Sequence, residues 1–128
     1  MTVRIVRLGS PRLPDEGVRI GTVRRPPRGV RREDWSAQDW FDVWYPELAP
    51  AAATIALARA DADPRAWQAF AKAYRREMAA PAASRTLDVL AALSHGADFS
   101  VGCYCADEAH CHRSLLRVLL SERGARIA

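Results

Sequence analysis

The most constraining stretch of the chain runs from Asp98 to Leu120, where a two-residue period gives way to a helical one. Phe99, Val101, Cys103 and Cys105 fall on one side of an extended segment, and Ser100, Gly102 and Tyr104 on the other. This alternation predicts a strand over 98–105. Ala106 to Ala109 reads as a turn. Leu115, Leu116, Leu119 and Leu120 then share one side of a helix that starts near His110 or Cys111. Gly124 marks its end, with Arg123 placed against the negative end of the helix dipole. A strand leading directly into an amphipathic helix is the repeating unit of a parallel sheet with helical crossovers.

The rest of the chain fits that frame. Residues 2–8 and 18–23 read as strands, on the β-branched pattern of Val3, Ile5 and Val6 and of Val18, Ile20 and Thr22. Between them, Ser10 to Gly17 reads as a loop. A helix from Ser36 to Tyr45 would hold Trp40, Phe41 and Trp44, ending before Pro46. Pro46 to Pro50 is irregular. Asp63 and Pro64 are a cap and first residue for a helix with Trp67, Phe70, Ala71, Tyr74 and Met78 on one side. Ser84 is placed to cap a further helix, with Leu87, Leu90 and Ala91 inward and Gly96 near its end. Arg126 to Ala128 adds a short terminal strand. The expected architecture is α/β: a single three-layer domain over residues 1–128, with a mainly parallel central sheet flanked by helices.

Composition narrows the class. At 49% hydrophobic and 27% charged residues, the chain can bury a core. No apolar run approaches the roughly 18 residues of a membrane span, so no membrane partner is expected. The first eight residues interrupt their apolar side chains with Arg4 and Arg7, unlike a secretory leader. The three cysteines all lie between positions 103 and 111, which is no disulfide framework. These features point to the cytoplasm. The formal charge is +4, and Lys72 is the only lysine. Arginine suits bidentate contact with phosphate or carboxylate, so the surplus leans towards an anionic small molecule or nucleic acid.

Chemistry concentrates where the last strand meets the last helix. The first turn of a helix offers unpaired N–H groups and partial positive charge, and ligands of open α/β sheets gather at the carboxyl ends of the strands. His112 and Arg113 fall in that turn, pointing about 100° apart. Three readings compete. One is an anion pocket using Arg113, His112 and backbone N–H groups, with His112 as general acid or base. Another is a metal site of Cys103, Cys105, Cys111 and His112, whose types suit zinc while their spacing suits it poorly. The third is a reactive thiol at Cys105 or Cys111. Against all three stands plain core packing, usual for free cysteine. No particular cofactor is implied.

The stiff segment Arg24-Arg25-Pro26-Pro27-Arg28-Gly29 is a second candidate. Its prolines would hold Arg24 and Arg28 in a fixed array for an anion, with Gly29 permitting close approach; the alternative is a solvated loop. Trp35 and Trp40 flank it, either as anchors to the core or as platforms for bases in a non-catalytic nucleic-acid-binding module.

Taken in order, these segments resemble a bacterial family catalogued as domain of unknown function 488. The Arg24…Pro27-Arg28-Gly29 stretch resembles its R-x-W-P-R-G motif, and Trp44…Leu48-Ala49-Pro50 its W…L-A-P segment. Trp67…Phe70…Tyr74…Glu77 is similar to its W…F…Y…E helix, and Cys111-His112-Arg113 with Leu116 to its final C-H-R helix. Pro26 stands where the motif has Trp, and Val23 where an acidic residue usually precedes the first arginine. The resemblance implies a compact α/β fold and leaves the activity open. It brings Tyr74 forward as a pocket residue and Glu77 as a candidate acid or base, and implies that Cys103 and Cys105 vary.

Overall fold

The computed structural model describes residues 1–59 and 63–128. Four strands, β1 (Val3–Arg7), β2 (Val18–Gly21), β3 (Val43–Trp44) and β4 (Phe99–Cys103), form one sheet in the order β1-β4-β2-β3, every pair parallel. The helices are α1 (Ala52–Arg59), α2 (Pro64–Met78), α3 (Pro81–Leu93) and α4 (His112–Glu122). β4 thus returns between β1 and β2 and becomes the central strand. It is buried along its whole length, as parallel strands are.

Pairing sets which residues share a face. Ile5 and Ile20 flank Val101, while Val3 and Val18 flank Phe99. On this face Val3, Phe99 and Val101 join Tyr74 and Met78 of α2, Leu87 and Leu90 of α3, and Leu116 and Leu120 of α4 in the main core. The opposite face carries Arg19, Ser100, Gly21 and Gly102. Its covering layer is built from the irregular segments 8–17 and 31–42. The Glu16 carboxylate accepts from Arg19 Nε at 2.7 Å and from Ser100 Oγ at 2.8 Å. Arg19 Nη1 reaches the carbonyls of Ser10 and Asp39.

Several local expectations change. The segment from Ser36 to Tyr45 is not helical. A 3-10 turn at Arg32–Asp34 leads into further turns, and Asp39 takes a left-handed φ of 61° that no helix interior accommodates. Asp42 binds Arg12, Ser36 and the Arg19 amide, which fixes the chain in an open loop before β3. α1 was not expected. Its start is held by a distant residue: the Glu77 carboxylate accepts from Ala51 N at 2.7 Å and from the Thr54 hydroxyl. α3 starts at Pro81 with Ser84 already inside it, and the last strand ends at Cys103 rather than 105. The terminal strand is a single parallel bridge, Ile127 to Val3. The Asp63 cap holds as expected, accepting from Arg65 N at 2.6 Å. Among the described residues, no helix is long and apolar enough to cross a membrane.

Candidate functional site

The carboxyl ends of β2 and β4 and the amino end of α4 meet at one point. After Cys103 the chain turns through Tyr104 and Cys105, makes a 3-10 turn at Glu108–His110, and enters α4 from Cys111. Asp107 starts this turn by accepting from Ala109 N at 3.0 Å. The excursion returns Cys111 to β4, with its sulfur 2.6 Å from that of Cys103. Both thiols are buried, and Cys105 is exposed. Cys103 and Cys111 pack with Leu8, Val23 and Phe41 in a second small core.

His112 is buried against this group and its tautomer is fixed. Nε2 lies 2.8 Å from the Thr22 carbonyl, which can only accept, so Nε2 carries the proton. Thr22 Oγ1 adds a contact at 3.2 Å while donating to Gly102 O. The lone pair is therefore on Nδ1, 3.7 Å from Cys111 Sγ. Burial pushes the imidazole down to about 4, so it is neutral at physiological pH. The ring of Tyr74 lies 5.5 Å from it.

The thiols divide sharply. Cys105 is held below the ordinary thiol range, chiefly by the neighbouring Cys103 and Cys111 thiols, helped by the positive charge of Arg113. Cys103 is pushed far up by the neighbouring Cys105 and Cys111 sulfurs and by burial. Cys111 is drawn down by Cys103, but the neighbouring Cys105 and its own burial outweigh this and raise it. Three interacting thiols titrate together, and ionisation is favoured at the exposed one.

Arg113, expected to meet an anion, is 3% exposed. Its Nη2 donates to Cys105 O at 2.5 Å, and its Nε has no partner. It fixes the backbone of Cys105 and places positive charge beneath it. Arg24, Arg25, Arg28 and Gly29 are exposed on the loop after β2. That loop borders the site, because Tyr104 Oη donates to Arg25 O at 2.9 Å. The two resemblance-derived residues are structural in their contacts. Tyr74 is buried and donates to Leu48 O at 2.7 Å, and Glu77 is the clamp on α1. Trp35 and Trp40 are half-buried and pack edge-on against Phe41 and Tyr104. Thr22 and Tyr104 were not singled out from the sequence, where no spacing links either residue to its partner.

The ligand atoms of Cys103, Cys111 and His112 lie within 4.8 Å of one another, close enough for a metal. A tetrahedral ion about 2.3 Å from each sulfur would hold the sulfurs about 3.8 Å apart. The 2.6 Å contact is shorter than that, and it lies between the roughly 2.0 Å of a disulfide and the wider approach of two free thiols. A surface cavity of about 460 Å³ lies along the far half of α4 between Arg117 and Ala128 and shares no residue with the site.

No curated protein and no solved structure matches the chain. A family model does, over residues 3–124, and its description reads active DUF488-N3 subclade. The match spans every strand and helix that frames the thiols. The chain belongs to the DUF488 family, in the subclade designated DUF488-N3a.

Proposed function

We propose that the chain is a thiol–disulfide exchange protein in which Cys105 attacks an oxidised sulfur and Cys111 resolves the adduct. The observation that carries this reading is the arrangement of one exposed thiol over a buried pair in contact. A reactive cysteine must be both accessible and ionised, and Cys105 is the member of the trio that satisfies both. The word active in the family description agrees with a catalytic role. Three free thiols also suit a reducing compartment such as the cytoplasm.

The chemistry balances with a disulfide RS–SR′ as the oxidant. The Cys105 thiolate bonds to one sulfur, the S–S bond breaks, and R′S⁻ leaves to take a solvent proton. The product is the mixed disulfide of Cys105 with SR. Cys111 then attacks Cys105 Sγ and gives its proton to the departing RS⁻. A Cys105–Cys111 disulfide remains, and the substrate has been reduced to two thiols. His112 Nδ1, 3.7 Å from Cys111 Sγ, accepts from that thiol and orients it. Arg113 holds the Cys105 carbonyl and steadies the thiolate.

The test uses dithiodipyridine, a neutral aromatic disulfide. The native protein should release two thiopyridones per chain. Cys105→Ser should react at least about 100-fold more slowly. Cys111→Ser should stop after one thiopyridone, with the mixed disulfide visible by intact mass. Equal rates in native protein and Cys105→Ser would overturn the reading. So would thiols that react only after a chelator strips a stoichiometric metal, an outcome that would assign the cluster to metal binding.

A further inference from the structure

We infer that the sulfur compound taken by this centre is negatively charged, carrying a carboxylate or phosphate received by Arg24, Arg25 and Arg28. The inference rests on the exchange reading and names its substrate class.

The loop after β2 is fixed to the scaffold at several points. Thr22 O binds His112, Val23 O accepts from Trp44 Nε1 at 2.8 Å, and Arg25 O accepts from Tyr104 Oη at 2.9 Å. Arg24 Nε donates to Pro50 O at 3.1 Å. Pro26 and Pro27 stiffen the next turn, which closes with Val30 N donating to Pro27 O. The backbone and Arg24 Nε are thus committed to neighbours, while the remainder of the Arg24 side chain and those of Arg25 and Arg28 are exposed. The residue that ties this loop to β4, Tyr104, directly precedes Cys105 in the chain.

Charge around the mouth is one-sided. Elsewhere Arg4, Arg12, Arg19, Arg31, Arg75, Arg117 and Arg123 each meet a carboxylate, about half of the remaining arginines. Arg24, Arg25 and Arg28 have no such partner among the described residues. The acidic groups on the facing turn are Asp107, bonded to Ala109 N and His110, and Glu108, paired with Arg117. With Arg113 bonded to the Cys105 carbonyl, the two segments bordering the thiols carry four guanidinium groups and one carboxylate, Asp107, that is not paired with arginine. Such a surplus beside an attacking thiolate offsets its repulsion of anions and raises their encounter rate. Arginine adds bidentate recognition of carboxylate or phosphate.

Two disulfide probes separate this claim from the exchange reading: dianionic dithiobis-nitrobenzoate and neutral dithiodipyridine. Second-order rate constants are measured at about 20 mM and about 500 mM salt, a range that collapses the screening length. In the native protein the ratio of dianionic to neutral rate should fall about tenfold across that range. At low salt, the double variant Arg25→Glu/Arg28→Glu should show a ratio about tenfold below the native one. Ratios within twofold of the native low-salt value in both arms would overturn the inference, while a brisk neutral reaction left the exchange centre standing. Failure of the neutral probe with native protein would remove the centre and this inference with it.

Discussion

His112 matters through which of its nitrogens is free. The Thr22 carbonyl claims the Nε2 proton, so Nδ1 faces Cys111 as an acceptor. The same burial that fixes the ring makes it a liability in acid. Its value in the folded chain is about 4, against an ordinary 6.5 in the unfolded one. Between those values the unfolded chain binds more protons, so stability is intact above the upper one and drains away as pH falls towards the lower. Urea unfolding at about pH 7 and about pH 4.5 should show a loss about 2 kcal/mol larger for the native chain than for His112→Gln, whose amide keeps a donor for Thr22 O but does not titrate. Equal losses in the two proteins would mean the ring is protonated or solvated in the folded state.

At the scale of elements, the sheet is tightest where glycine sits. A methyl at Gly102 would lie 2.6 Å from Val6 O, a backbone atom of the neighbouring strand that cannot step aside. At Gly21 it would meet the Phe41 ring at 2.3 Å, a side chain in a covering loop with more freedom to move. Gly102→Ala should therefore cost more stability than Gly21→Ala, with the latter at about 1–3 kcal/mol. Denaturant midpoints that rank the two the other way would refute this. Legibility in the sequence follows the same division between local and distant causes. α2 was readable because its cap, its proline and its apolar side lie within one segment. α1 was not, because the carboxylate that secures its first turn belongs to Glu77, which follows Ala51 by 26 positions. Ser36, Trp40 and Trp44 imitate a helical repeat, yet Asp42 is drawn to Arg12, far back in the chain, and an open loop results. The thiol site was legible in outline for a similar reason. Cys103, Cys105, Cys111 and His112 are sequence neighbours across one strand–turn–helix. Thr22, which selects the histidine's tautomer, comes from another strand.

For the whole molecule, the two faces of the sheet are held by different physics. The helical face is an apolar core. The other is covered by irregular segments pinned to a fully buried ion pair, Glu16 with Arg19, which also takes in Ser100, Ser10 O and Asp39 O. Such a pair is poor evidence of net stabilisation, but removing one member strands the other in a medium that penalises lone charge. Arg19→Met should cost about 3–5 kcal/mol, and Glu16→Leu added to it should recover part of the loss. The damage should also be local. Asp42 N donates to Arg19 O and Gly9 N to Asp39 O, both in the segments that the guanidinium ties down. Amide exchange at Gly9 and Asp42 should accelerate more than at α3 positions such as Leu90, which lie in the apolar core. If exchange rises equally on both faces, the loops are held by the same cooperative unit as the helices and the ion pair is not what pins them. Because the segment after Asp42 leads into β3, whose Trp44 anchors Val23 beside the thiols, a loosened cover should also slow the Cys105 reaction while leaving its thiolate fraction unchanged.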